Sequence, residues 1–288
     1  MSTYKEINGQ KVKNVSSDPP APFLGQVWYN SSTNKVKYFV GSQSPVWASG
    51  GNMTTGRGAL GAAGTQTSTL GFGGWTNPPF LYSAATEEYN GTSWTNGGTL
   101  STARRYIAGC GTQTAALGTG GQKTFPLPTV ASTEEYNGSS WTAGGDYWQA
   151  LKGICITGTQ TAALGMGGTP PTSNQCANYD GTAWSTFPQN MGTQRAYFAG
   201  CGTQTATIAY GGTGSPSAFT QTWDGSAWTT VASLNSGGRS LAGAGTGPTS
   251  ALAFGGSRSP SAGTEEYNGT SWVIGGQMAQ GRNDLGGA

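Results

Sequence analysis

Six tryptophans recur along this chain at a nearly fixed interval, and that interval constrains the fold more than any other feature. Trp47, Trp94, Trp141, Trp184, Trp228 and Trp272 are separated by 47, 47, 43, 44 and 44 residues. Ten or eleven residues after each stands Arg57, Arg104, Leu151, Arg195, Arg239 or Arg282. Sixteen residues beyond the first five of these comes a glycine pair: Gly73-Gly74, Gly120-Gly121, Gly167-Gly168, Gly211-Gly212 and Gly255-Gly256. Between them lies a Gly-Thr-Gln-Thr turn at Gly64, Gly111, Gly158 and Gly202, with a degenerate fifth copy, Gly245-Thr-Gly-Pro. A repeat of about 40 to 50 residues is the mark of a propeller blade.

Each unit reads as four short strands. In the second, strand a follows Arg104 as far as Cys110, and strand b runs from Ala115 to Gly121. Strand c carries Glu134-Glu135-Tyr136, and strand d carries Trp141. Asn-Gly or Asp-Gly stands between c and d, as at Asn137-Gly138 and Asp180-Gly181; both dipeptides tolerate the positive φ of a tight hairpin. A single sheet of this kind cannot bury both faces, so the units must stack on one another.

Composition agrees. Fifty glycines and fourteen prolines are spread along the whole chain, which leaves no room for a helix of ordinary length. Only 9% of residues are charged, against about 25% in average soluble domains, so Thr, Ser, Asn and Gln carry the surface. Ten Trp, twelve Tyr and nine Phe supply the apolar area that a disordered chain lacks. The expected class is all-β, built from four-stranded antiparallel blades.

The two ends suggest how the ring closes. After Trp272 the chain has only enough residues for one further strand, through Arg282 to Ala288. Before Trp47, residues 25–30, 35–40 and 45–49 align as strands b, c and d. The expectation is therefore six blades with a 1+3 closure that removes two sheet edges. The competing arrangement is five blades plus an N-terminal docking element. Residues 1–23 are expected to be an arm, and 24–288 the propeller.

The residue inventory argues against catalysis. There is no histidine, which excludes Ser-His-Asp and Cys-His chemistry and every His-ligated metal. Glu87-Glu88, Glu134-Glu135 and Glu265-Glu266 are paired in sequence, but neighbours on a strand point to opposite faces. One of each pair is expected to meet the repeated arginine. The four cysteines fit no metal spacing, and Cys110 and Cys201, at one repeat position, read as small buried residues. No catalytic, cofactor or metal residue is expected. A net charge of +2 gives no electrostatic reason to expect nucleic acid. No apolar run approaches the roughly 20 residues of a membrane span, and the opening residues lack a signal-peptide pattern. The expected place of synthesis and assembly is a cytoplasm.

The succession of Arg57 or Arg104, apolar strand, Gly-Gly, Tyr and Trp resembles the kelch repeat over residues 47–288. More narrowly, Gly-Thr-Gln-Thr-Ala-Ala-Leu at Gly111, the glycine pairs, and Glu-Glu-Tyr-Asn-Gly-Thr-Ser-Trp at Glu87 resemble repeat-rich structural proteins of tailed bacteriophages, especially those of aquatic cyanobacteria. Gly25-Gln-Val-Trp-Tyr-Asn30 and Lys35-Val-Lys-Tyr-Phe39 resemble the segments that precede such repeats in virion proteins. The resemblance implies a non-enzymatic virion component: a fibre, tail or decoration subunit present in multiple copies. Its arm would dock to other virion proteins, and its ring could adhere to a host envelope glycan or protein. A purely architectural subunit is the alternative, and a carbohydrate-active propeller enzyme a remote one. Kelch-type copper chemistry does not carry over, because it needs histidine ligands.

Antiparallel order puts the a–b and c–d turns on one face and the b–c and d–a loops on the other. The first set is nearly constant, whereas the b–c loops differ in every unit. The two longest are rich in proline and aromatic residues, and they nominate Trp75, Phe80 and Tyr82, with Lys123, Phe125 and Leu127, as partner or receptor contacts.

Overall fold

The computed structural model describes residues 12–19, 26–38, 47–123 and 128–287. The chain divides into two compact units, Met1–Val46 and Trp47–Ala288. The described residues contain strands and turns and no helix.

The larger unit is built from five four-stranded antiparallel sheets, each in the order a-b-c-d. The first comprises Gly61–Thr65, Ser68–Phe72, Thr86–Tyr89 and Trp94–Asn96, and the second Ala108–Thr112, Ala115–Thr119, Thr133–Tyr136 and Trp141–Ala143. The third comprises Cys155–Thr159, Ala162–Met166, Cys176–Tyr179 and Trp184–Phe187. Ala199–Gly202, Thr207–Tyr210, Thr220–Trp223 and Trp228–Val231 form the fourth, and Ala242–Gly247, Ser250–Phe254, Thr264–Tyr267 and Trp272–Ile274 the fifth. Strand a of each sheet packs beside strand a of the next, giving a propeller-like, blade-by-blade arrangement.

Crowding at this inner line explains its composition. A Cβ on Gly109 would stand 2.5 Å from the carbonyl oxygen of Ala62 in the neighbouring sheet, so strand a is written almost wholly in Gly, Ala, Cys and Thr, Ile156 being the exception. The glycine pairs have a conformational cause. Both members take positive φ in all five sheets, 67° and 94° at Gly73-Gly74, which L residues rarely adopt.

The repeated arginine repairs the point where strands b and c part. Arg104 Nη1 donates to the carbonyls of Gly120 at 3.0 Å and Ser132 at 2.7 Å, and Nη2 to Glu134 Oε1 at 2.7 Å. Arg57 does the same with Gly73, Ala85 and Glu87. Neither guanidinium is exposed.

Sheets are laced to one another by three further devices. The turn glutamine of one sheet donates to two carbonyls of the preceding one: Gln113 to Thr69 and Tyr89, Gln160 to Ala116 and Tyr136, Gln204 to Ala163 and Tyr179. The strand-d indole donates backward to a strand-c threonine, Trp141 to Thr86 and Trp184 to Thr133. Finally, Tyr136 and Tyr179 donate their hydroxyls to Glu88 and Glu135 of the sheet before, each at 2.5 Å.

Two expectations need correction. Arg239 is not the fifth repeat arginine. Gly238 carries the hydrogen bonds that Arg104 carries in the second unit, through its N–H to Ser217 and its carbonyl from Gly212. A bulge between Gly245 and Gly247 adds one residue to strand a, so counting sixteen back from Gly255 lands one position late. Arg239 is exposed, and Arg258 from the b–c loop supplies the guanidinium, pairing with Glu265 at 2.8 Å.

The second concerns closure. In the smaller unit, Val27–Asn30 pairs antiparallel with Lys35–Tyr38 and parallel with Lys13–Val15. Both edges of Val27–Asn30 are therefore taken, and the edge that the C-terminal strand would need carries Lys13–Val15. Expected strand residues 25, 39–40 and 45–46 lie outside the described residues, as does most of the 1–23 arm. Within the larger unit, both of its ends lie against the five sheets. The Trp47 ring lies 5.1 Å from Phe254, as Trp141 lies 4.8 Å from Phe72, and Phe254 and Phe72 hold the same register. The C-terminal segment supplies Leu285, Gly286 and Gly287 to the central cavity beside the five strands a. Arg282 there is exposed rather than clasped like Arg104.

Candidate functional site

Two classes of side chain distinguish themselves: those that repeat and are used up in holding sheets together, and those that differ at a repeated register.

The repeated groups are spent. Thr54 donates its N–H and hydroxyl to Glu87 Oε2, both at 2.7 Å, while Arg57 holds Oε1. Burial opposes ionisation of Glu87, and these hydrogen bonds and the Arg57 charge outweigh it, holding the carboxyl below its usual range. Glu88 is engaged by Tyr136, whose phenol is pushed up to about 12 by burial and by the carboxylate it serves. In the third unit both partners of the clasp are replaced together, Arg by Leu151 and Glu by Ala177, and both are buried. The fourth unit keeps Arg195 but offers it the neutral Gln221 at 3.2 Å, so burial pulls its pKa down to about 10. Cys176 replaces the strand-c threonine, and Trp228 Nε1 finds no oxygen acceptor. All four cysteines are buried and unpaired, and burial raises each thiol.

The variable groups lie beside the clasps, where the d–a and b–c loops meet. The chain enters strand a through one residue per unit in the left-handed region: Ala59, Tyr106, Gly153, Tyr197, Ser240 and, from the C-terminal segment, Asp284. Backbone hydrogen bonds link them in sequence, from Ser240 to Tyr197, Tyr197 to Gly153, Gly153 to Tyr106, Tyr106 to Ala59 and Ala59 to Asp284. Together they rim the mouth of the central cavity, about 90 Å3 at this level, floored by Leu60, Ile107, Ile154, Phe198, Leu241 and Leu285. Tyr106 and Tyr197 meet edge to face at 5.1 Å across Gly153. Burial keeps both phenols protonated, Tyr197 being pushed up to about 12.

Beside this mouth stands the first b–c loop. Trp75–Thr76 pairs with Leu81–Tyr82 as a short ribbon, which stacks Phe80 on Trp75 at 4.8 Å. Phe80 and Leu81 are 68% and 59% exposed. The Arg105 guanidinium lies 5.8 Å from the Trp75 ring, 5.1 Å from Tyr82 and 5.0 Å from Tyr106. Lys152 Nζ lies 5.9 Å from the Tyr106 ring.

Of the nominated contacts, Trp75, Phe80 and Tyr82 thus come together on one ribbon. Lys123 is half-buried on the next b–c loop, its N–H bonded to the carbonyl of Pro128. Phe125 and Leu127 lie outside the described residues. Arg105, Tyr106, Lys152 and Tyr197 lie outside the b–c loops that the sequence singles out. Their signal is present in the repeat: the two positions after the clasp residue read Gly58-Ala59, Arg105-Tyr106, Lys152-Gly153 and Ala196-Tyr197, a varied pair inside a fixed frame. Among the described residues, no three of His, Cys, Asp and Glu gather as a metal site. No family model matches the chain, and no curated protein does.

Proposed function

We propose that the chain is a non-enzymatic virion structural protein of a tailed bacteriophage, whose variable loop face adheres to a host surface. The observation that carries the reading is the division of labour between repeated and variable side chains. The recurring carboxylates Glu87, Glu88, Glu134 and Glu135 are bound up in joining strands and sheets. The b–c and d–a loops gather an aromatic ribbon with exposed Phe80 and Leu81 beside cations that form no ion pair among the described residues. The virion assignment draws its support from the repeat motifs and their kelch-like order.

In this reading the ring has six blades. Trp47 on Phe254 and the segment Asp284–Gly287 belong to the sixth, and the arm docks the ring to other virion proteins. Multiple copies per particle follow from a fibre, tail or decoration role. Exposed apolar Phe80 and Leu81 also favour a second reading, in which the same face packs against a neighbouring virion subunit.

Antibody labelling of intact particles, viewed by electron microscopy, tests the proposal. Label on the particle surface, blocked by prior addition of host cells, supports adhesion. Label that appears only on disrupted particles favours the architectural subunit, and absence of the chain from purified particles overturns both.

A further inference from the structure

Three cations stand beside the rim of the central cavity. Arg105, Lys152 and Arg239 occupy one register of the repeat, each immediately before a rim residue. Among the described residues none of the three forms an ion pair. Arg105 and Lys152 are half-buried and converge on one neutral atom, Gln122 Oε1, which accepts from Arg105 Nε at 3.3 Å, Arg105 Nη2 at 3.2 Å and Lys152 Nζ at 3.2 Å. Burial and the neighbouring Arg105 charge hold Lys152 below its usual pKa. Two partly desolvated like charges sharing a neutral acceptor are stabilised by an incoming anion.

The surroundings state what kind of anion. The cations sit against the rings of Tyr106, Tyr82 and Trp75. The adjoining rim presents the hydroxyls of Tyr106, Tyr197 and Ser240, none of which has a hydrogen-bond partner among the described residues. Aromatic faces joined to a few convergent polar groups form a typical small-ligand site. An inorganic anion would use only the cations. A saccharide bearing an acid group uses all three features. Asp284, across the rim, repels the acid group toward Arg105 and Lys152 and can accept from sugar hydroxyls. The 90 Å3 mouth is too small to enclose a sugar ring, so the ring would lie over it.

We propose that this rim binds an anionic saccharide, with its acid group between Arg105 and Lys152 and its sugar ring against the Tyr106–Tyr197 pair. The inference deepens the adhesion reading above and rests on it for its biological setting. Carboxylate and sulfate share the required chemistry.

The test titrates the full chain with three probes: a galacturonate tetramer, a sulfated galactose tetramer and a neutral galactose tetramer. Binding of either acidic probe at least about tenfold more tightly than the neutral one is expected, and the stronger of the two identifies the acid group. The double variant Arg105→Gln, Lys152→Gln should lose about tenfold or more, and the charge-preserving Arg105→Lys, Lys152→Arg should lose less. Thermal melting of both variants checks that the fold is kept. Failure of both acidic probes to bind, equal binding of the neutral probe, or full affinity in the charge-removing variant overturns the inference. Host-cell binding by the isolated protein is scored separately. Cells bound equally by the wild type and the charge-removing variant sink this inference and leave adhesion standing. Acidic probes bound without any binding to cells leave the inference and sink adhesion.

Discussion

The Tyr136 hydroxyl crosses from the second sheet to the first and donates to Glu88 Oε1 at 2.5 Å, while the adjacent Glu87 turns the other way into Arg57 at 2.9 Å. Successive residues on one strand thus serve different joints: Glu87 ties strand c to its own sheet's arginine, and Glu88 receives the neighbouring sheet. Period-two alternation makes this possible, because the two carboxylates leave opposite faces of the strand.

Removing the crossing hydroxyl should therefore loosen two sheets without disturbing either clasp. Tyr136→Phe is expected to cost about 1.5–3 kcal/mol, as for a hydrogen bond to a charged group, and to lower the melting temperature by about 3–12 °C. Glu88→Gln keeps an acceptor and should cost less. A double-mutant cycle measures the joint directly; a coupling energy near zero would show that the two side chains act independently.

The fourth unit carries a repairable defect. Arg195 is fully buried yet faces Gln221, where the first two units place a glutamate. Gln221→Glu supplies the missing countercharge and keeps the acceptor for the Gly192 N–H. A gain of about 1–2 kcal/mol is expected, read as a rise of about 2–8 °C in melting temperature. In the third unit, Leu151→Arg alone buries an unpaired charge and should destabilise strongly, while adding Ala177→Glu should recover most of the loss. A double variant no more stable than Leu151→Arg would contradict the equivalence of these positions.

Arg258 and Arg239 offer the sharpest contrast between what the sequence says and what the fold does with it. Alanine at Arg258 leaves Glu265 buried without its cation, a loss of about 3–5 kcal/mol. Alanine at the exposed Arg239 should change stability by no more than about 0.5 kcal/mol. Chemical denaturation of the two variants settles the pair, and reversed magnitudes would restore the sequence-based assignment.

That misassignment shows which layer of the structure is legible in one sequence. The tryptophans, glycine pairs and Asn-Gly turns locate the five sheets within a few residues, because each marks a local backbone requirement; strand a starts at Ala108, four residues beyond Arg104. The Trp75–Tyr82 ribbon was legible as a loop unlike its counterparts. A one-residue bulge between Gly245 and Gly247 is invisible to counting, since the spacing of sixteen still falls on an arginine. The lacing by Gln113, Gln160 and Gln204 was hidden for another reason: its acceptors are backbone carbonyls of a different sheet, which carry no side-chain signature. The rim cations escape a comparison of loop lengths, because the d–a loops vary in sequence at a nearly constant length.

Acid should unfasten the clasps from the carboxylate side. The Glu87 carboxyl is held below 4.5, so its folded form binds fewer protons than its unfolded form. Its contribution is present in full above about 4.5 and is lost as the pH falls through the depressed value. Thr54→Val removes one of the hydrogen bonds responsible and brings the folded pKa nearer to the unfolded one. The stability difference between wild type and Thr54→Val should be largest near neutrality and shrink as the pH drops below 4.5. A difference that stays constant down to low pH would assign the Thr54 effect to packing.

The C-terminal segment should behave as structure and not as a tail. Ala59 N–H donates to Asp284 at 2.9 Å and Gly256 N–H to Arg282 at 2.8 Å, joining the last residues to the first and fifth units at once. Leu285 packs close to Gly255 and helps to floor the central cavity. Removing residues 281–288 leaves two N–H groups without acceptors, at about 1 kcal/mol or more each, and exposes the side chains around Leu285, at about 1–2 kcal/mol. The expected loss of about 3–5 kcal/mol lowers the melting temperature by at least about 6 °C. Leu285→Ala, which keeps both backbone bonds, should show a fraction of it. If the truncated chain melts with the wild type, the first and fifth units do not depend on the C-terminal segment to hold them together, and the proposed sixth blade loses its C-terminal support.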